Sequence, residues 1–209
     1  MNMDKERNKK LKTIARLWAV PMVLCIVGVI ACRNEQRNIE SRAISDIMII
    51  IANQEDPGEL LAYINEAWEK YRRGEEYSGE FTFSDNYLMY ADRDEEDGFV
   101  WTDTTEFRSW DFDSSSDKLV AMAHRDYTNG ELACGQYSGL SFYIFDGDTI
   151  EWVPDDTLGI EYPEINGIVV SRLSGTDADI TLTASNPEEG TCTKSFVWNG
   201  ERFVKQSQL

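Results

Sequence analysis

Apolar positions along this chain change their spacing three times, and each change predicts a different kind of element. Residues 17–31 form one apolar run with Pro21 inside it, ended by Cys32, and residues 33–43 are mostly polar. The segment 44–52 then holds five consecutive apolar residues, Ile47, Met48, Ile49, Ile50 and Ile51. Such a run suits a buried strand or a helix equally by periodicity. A helix is expected, because a clearer one follows closely. Asp56, Pro57, Gly58 and Glu59 supply an N-cap, a proline at the first helical position and an acid three residues after the cap, which resembles a capping box. Leu60, Leu61, Ile64, Ala67, Trp68 and Tyr71 recur at three- and four-residue intervals, and Arg72, Arg73 and Gly74 form a cationic last turn and a stop. The apolar stripe of this helix is expected to pack on a sheet.

From Tyr77 onward the pattern becomes short alternating runs separated by turn residues. Strands are expected at 81–83, 87–91, 99–102, 106–112, 119–125, 140–145, 149–153, 168–172, 180–184, 193–198 and 202–205. No helix-length segment separates them to make parallel crossovers, so the sheet is expected to be antiparallel. Segments 142–150 and 195–203 resemble each other, each reading strand, Asp-Gly or Asn-Gly, strand. Both dipeptides suit a two-residue type I′ turn, which would set Trp198 opposite Glu201 and Phe196 opposite Phe203. The fold class is α+β: an N-terminal helical segment packed on a mainly antiparallel β-domain of meanders and hairpins.

The apolar run also bears on location. A membrane-spanning helix needs about 20 apolar residues, so a 15-residue run with a proline in it is sized as the core of a secretory signal. Six basic residues between Lys5 and Arg16, against Asp4 and Glu6, give it a basic lead. Val29-Ile30-Ala31-Cys32 resembles the lipobox of bacterial lipoproteins: an aliphatic residue, a tolerated second residue, a small residue before the cut, then cysteine. Cys25 is the weaker site, since bulky Leu24 precedes it. The resemblance implies cleavage before Cys32 and acylation of that cysteine. Several acyl chains, at about 0.8 kcal/mol per buried methylene, give stable anchoring. The expected organisation is therefore a signal peptide at 1–31, a tether at 32–43, and one globular domain at 44–209, helical over 44–74 and antiparallel β over 77–206. In its alternation of hairpins and its closing Phe196-Val197-Trp198-Asn199-Gly200-Glu201-Arg202-Phe203-Val204, the chain resembles uncharacterised lipoproteins of Bacteroidetes-type gut bacteria. That resemblance implies a lipid-anchored place in the bacterial cell envelope, at the periplasmic face or the outer membrane, and brings no activity with it.

Removing 1–31 takes away six basic and two acidic residues and moves the formal charge from -18 to -22. So acidic a domain repels nucleic acid and anionic lipid headgroups, while cationic ligands stay compatible with it. With Cys25 and the lipidation candidate Cys32 set aside, only Cys134 and Cys192 remain. In an oxidising compartment they either pair, closing a loop worth ~4 kcal/mol in the chain-entropy model, or stay as two buried thiols.

Catalytic chemistry finds little support. His124 is the only histidine, which excludes any site needing two, and no nucleophile motif accompanies it. It shares a strand face with Val120 and Met122 and reads as a structural or exposed residue. The acidic stretch 92–98 reads as a solvated turn between strands, because an EF-hand loop starting at Asp92 would need glycine where Asp97 stands and glutamate where Asp103 stands. Residues 111–117 read as a long hairpin loop. Trp101, Trp110, Trp152 and Trp198 could together form a sugar-stacking platform, although tryptophans on alternating strands more often fill a core. No phosphate-binding glycine pattern occurs. No catalytic residue, metal site or cofactor is expected. The sequence favours a membrane-anchored, non-enzymatic binding or scaffold module with an envelope protein or a glycan as partner; the alternative is a carboxylate-dependent hydrolase, with glycans as a candidate substrate, using acids near Trp101 or Trp152.

Overall fold

The computed structural model describes residues 43–53, 58–133, 139–165, 167–173 and 179–206. The lipobox with Cys32, the proposed cap residues Asp56 and Pro57, and Cys134 lie outside them. Residues 42–209 form one compact unit. Among the described residues two helices, α1 (Ile44–Ala52) and α2 (Gly58–Arg73), precede eleven strands. The run of isoleucines is helical as expected. It buries Ile44, Ile47, Met48 and Ile51, an i, i+3, i+4, i+7 set that a strand could not place on one face. Helix α2 ends as its sequence predicts: Gly74 is left-handed at φ 66°, its N–H donates to the Tyr71 carbonyl, and the Glu75 N–H donates to the Lys70 carbonyl.

The strands form two antiparallel sheets. The first contains β1 (Glu80–Phe83), β2 (Tyr87–Glu96), β3 (Phe99–Asp111), β4 (Lys118–Thr128), β6 (Gly139–Phe145) and β7 (Ile150–Val153) in that order, with β5 (Glu131–Ala133) also paired to β4. The second runs β11 (Phe203–Lys205), β10 (Gly190–Trp198), β9 (Ile180–Asn186), β8 (Ile168–Arg172). A short 3-10 turn, Asp155–Leu158, follows β7. The α+β class holds, but the β-domain is two sheets rather than one.

The layers are helices, first sheet, second sheet. Leu88, Tyr90, Phe107, Val120 and Phe145 face the helices and join Ile47, Met48, Leu61, Ile64 and Trp68 in one core. Leu119, Ala121, Ala123 and Phe142, from the opposite face, join Leu173, Ile180, Leu182, Phe196 and Phe203 in another. Burial on both faces is why β4 reads Leu119-Val120-Ala121 with no polar alternation. His124 falls on the face of Val120 and Met122, as expected from strand alternation.

Three local expectations are corrected. Segments 99–102 and 106–112 are one strand, β3, which runs through Asp103 because Thr104 and Thr105 behind it are β-branched and buried. The acidic stretch 92–98 is mostly strand as well. Only Asp97 and Gly98 turn, both with positive φ (53° and 83°), in the two-residue manner of a type I′ hairpin. The hairpins at Asp146-Gly147 and Asn199-Gly200, expected to turn that way, have four-residue loops. Phe145 pairs with Ile150, and Trp198 with Phe203, not with Glu201. The cause is side-chain capping. Asp146 Oδ1 accepts from the N–H groups of Asp148 and Thr149, and Asn199 Oδ1 accepts from those of Glu201 and Arg202. The wider turn leaves positive φ only at the glycines, 107° at Gly147 and 93° at Gly200. The two segments thus share a loop conformation as well as a pattern.

A buried polar network ties the sheets together. Arg125 Nη1 lies 2.7 Å from Glu106 Oε2 and donates to the Ser171 carbonyl at 2.8 Å, while the Leu173 N–H and the Tyr87 hydroxyl also donate to the Glu106 carboxylate. Beside it Arg108 pairs with Asp179 at 2.7 Å, and Asp179 accepts the Trp198 N–H. Cys192, half-buried opposite Ala184, has no disulfide partner among the described residues.

Candidate functional site

Strands β2, β3 and β4 are long, and the helices cover only part of their length. Residues paired across the ladder share a face, so this side of the three-strand ribbon can be taken row by row. Leu88, Phe107 and Met122 form a core row; Tyr90, Thr105 and His124 come next. Asp92, Asp103 and Asp126 follow, then Asp94, Trp101 and Thr128, and finally Glu96 and Phe99. The face therefore passes from apolar core through a buried histidine and three adjacent carboxylates to two exposed aromatic rings.

His124 sits at the boundary, 3% exposed. Its Nδ1 is hydrogen-bonded to Thr105 Oγ1 at 2.7 Å, which fixes the ring and turns Nε2 outward to Asp126. Asp103 Oδ, His124 Nε2 or Nδ1 and Asp126 Oδ lie within 4.8 Å of one another. Asp92 is held separately, accepting from the Tyr63 hydroxyl of α2 at 2.7 Å and from Ser78 Oγ at 3.2 Å. Gly79 makes that arrangement possible: a Cβ there would come within 2.7 Å of the Ala91 carbonyl oxygen and 2.8 Å of the Tyr90 ring. Behind this corner, Gly79, Glu80, Ala91, Asp92, Arg93 and Thr102 line a shallow cavity of ≈ 420 Å³.

Like charges directly opposite one another in a ladder repel. Among the described residues no lysine or arginine pairs with Asp103 or Asp126; Arg125, next to His124 in sequence, points the other way to Glu106. Burial, and then the Asp126 charge, push the Asp103 carboxyl above its ordinary range. A carboxylate raised in the folded state weakens the fold at pH values above its raised pKa and ceases to do so as pH falls through it. Asp103→Asn is accordingly expected to stabilise the protein at neutral pH by some tenths of a kcal/mol, a size set by exposed cross-strand pairs. The gain should vanish toward the ordinary carboxylate pKa, as checked by urea unfolding at a series of pH values.

Beyond the acids, Phe99 and Trp101 stack with ring centroids 5.9 Å apart and an interplanar angle of 27°. They are 49% and 37% exposed. The four tryptophans do not make one platform. Trp110 is buried edge-on to Phe203, and Trp198 packs between Phe112 and Phe203 with its Nε1 donating to the Asp111 carbonyl. Trp152, exposed on β7, pairs with Tyr143 on the far side of β4 from Trp101.

Sequence reasoning singled out His124, as a structural or exposed residue, and Trp101, as part of a four-tryptophan platform or a neighbour of hydrolytic acids. It missed Asp103, Asp126 and Thr105, which only the register of β3 on β4 brings to His124. No family model matches the chain, and neither a curated protein nor a solved structure matches it.

Proposed function

We propose that this chain is a lipid-anchored envelope protein acting as a non-enzymatic binding module, and that it takes a cationic, lysine- or arginine-bearing segment of an envelope partner on the outer end of the β2–β3–β4 ribbon. The observation that carries this reading is the exposed Phe99–Trp101 stack bordered by Asp94, Glu96 and Asp103. An aromatic face attracts a guanidinium or ammonium by about 0.5–1 kcal/mol when exposed and about 2 kcal/mol when desolvated. Flanking carboxylates add charge-assisted hydrogen bonds, and a strongly acidic domain raises the rate of encounter with cations. The hydrolase reading draws less support. Donor atoms of Asp103 and Asp126 lie within 4.8 Å, closer than the ~5–5.5 Å of retaining and ~6.5–9.5 Å of inverting glycosidases.

Location rests on the lipobox resemblance at Cys32. No helix among the described residues is long and apolar enough to cross a membrane. Cys32→Ala is expected to abolish lipid labelling and release the protein from the membrane fraction; a variant still labelled and retained would contradict the anchor. For the binding face, the full chain in detergent is titrated with an extended Lys/Arg peptide at rising salt. Trp101→Ala is expected to weaken binding about tenfold, equivalent to about 1.4 kcal/mol. Asp94→Asn with Glu96→Gln should flatten the salt dependence. Unchanged affinity in both variants would move the binding face elsewhere.

A further inference from the structure

We infer that Asp103, His124 and Asp126 form a binding site for one divalent transition-metal ion, with Zn2+ the best match to the donor set. The inference goes beyond the binding-module reading and does not depend on which ligand the aromatic end takes.

The donors converge from two neighbouring strands, and one ligand atom from each of the three residues lies within 4.8 Å of the other two. Around a tetrahedral ion with bonds of about 2.0–2.1 Å, neighbouring donors stand about 3.3 Å apart. The remaining contraction is small, and Asp103, the exposed member, is free to make it by rotating its side chain.

The histidine distinguishes this group from an ordinary acidic patch. Its side chain is 2% exposed, and its Nε2 meets the Asp126 carboxylate from inside the protein. The other nitrogen is engaged by Thr105 Oγ1, a residue outside the donor set. Metal-binding histidines almost always have that second nitrogen held in this way, which fixes the tautomer and the ring plane. Nothing beyond the cluster partners Nε2 among the described residues.

Charge points the same way. Asp92, Asp103 and Asp126 stand on consecutive cross-strand positions, an arrangement that costs energy, and among the described residues no lysine or arginine pairs with Asp103 or Asp126. Asp92 draws hydrogen bonds from Tyr63 and Ser78, whereas Asp103 and Asp126 have only the His124 imidazole set against their mutual repulsion. A divalent cation between them removes the repulsion.

One imidazole and two carboxylates suit Zn2+, and secondarily Mn2+, better than Ca2+, which takes six to eight oxygens. Three protein donors leave a coordination position on the side of exposed Asp103 and the neighbouring Trp101. An ion there would hold a water, or accept an oxygen or nitrogen donor of whatever lies on the aromatic face.

The test uses the untagged, chelator-treated full chain in detergent, titrated calorimetrically with Zn2+, Mn2+ or Ca2+ alone. One Zn2+ per chain is expected, with weaker Mn2+ and much weaker Ca2+ binding. Asp103→Asn, at an exposed position that leaves the fold intact, is expected to lower Zn2+ affinity at least tenfold. It should also shrink the rise in melting temperature that Zn2+ produces, although the same change stabilises the metal-free protein. His124→Asn should abolish uptake, Asp92→Asn should leave it unchanged, and Cys192→Ser should leave it unchanged. Absence of saturable Zn2+ uptake, uptake insensitive to Asp103→Asn, or Ca2+ bound as tightly as Zn2+ would overturn the site.

Discussion

Replacing Arg125 by methionine is expected to cost the protein about 3–5 kcal/mol, seen as a lower urea midpoint at an unchanged slope. Arg125 and Glu106 are both 8% exposed in their side chains, and their contact at 2.7 Å is the only ion pair in the structure's described part with both members so deeply buried. The cost follows from what stays behind. Methionine fills much the same volume, but it leaves the Glu106 carboxylate in the interior with only the Leu173 N–H and the Tyr87 hydroxyl to support its charge. The Ser171 carbonyl loses its donor at the same time. Those two losses fall on the seam between the sheets, since Ser171 and Leu173 belong to β8 and its end whereas Arg125 and Glu106 belong to β4 and β3. Glu106→Leu added to Arg125→Met is expected to recover part of the loss, because no orphan charge then remains, although the Leu173 N–H and the Ser171 carbonyl each still cost about 1–3 kcal/mol. If Arg125→Met stayed within 1 kcal/mol of the parent, water must reach Glu106, and the pair would not be the tie between the layers.

How much of this was legible in the residues depends on the range of the interaction that decides each feature. Helix α2 was legible to its last residue because its stripe, its cationic final turn and Gly74 are all local. Most strands were legible in place and type, but not β5, the continuity of β3 through Asp103, or the partition into two sheets. Which of Leu119 and Val120 faces a helix and which faces Phe196 is settled by packing over long separations, and a strand buried on both faces shows no alternation from which to tell. Turn geometry failed where a side chain competed with the backbone. Asp146 and Asn199 cap their own loops and widen them, whereas Asp97 and Asn129 adopt positive φ themselves at 53° and 52°. The same distinction decides the candidate site. Once the Asp97-Gly98 turn is known to be two residues long, Asp92 opposite Asp103 follows by counting along β2 and β3. The pairing of Asp103 with Asp126 does not, because the β3–β4 connection over 112–117 sets its register through tertiary contacts, such as the Asp113 N–H donating to the Gly200 carbonyl. A lone histidine was therefore visible in the sequence while its two acidic neighbours were not.

Phe107→Ala and Phe196→Ala should each lower stability by about 3–5 kcal/mol, yet only the first should loosen the acid-and-aromatic face. Both rings are fully buried, but in different layers: Phe107 under the helices, between Leu88 and Met122, and Phe196 between the two sheets, opposite Lys205 on β11 and Ile180 on β9. Phe107 stands four residues from Asp103 on the same face of β3, about 13 Å along the strand. The row between them, Tyr90, Thr105 and His124, rests on it and carries the hydrogen bond that orients the imidazole. Interiors pack densely and relax only partly around a lost ring, so the cavity left by Phe107 should let that row shift. Native-state hydrogen exchange can distinguish the two outcomes, since it reports local opening below the global unfolding free energy. Phe107→Ala should speed exchange at the amides of Tyr90, Thr105 and His124 beyond what its global destabilisation explains. Phe196→Ala should confine its excess to β9 and β10, because the first sheet, held by its helix-side core, keeps the ribbon in place. Equal effects of the two substitutions on the His124 row would mean that the layers open together, and that the candidate site is supported by the whole domain rather than by the helices beneath it.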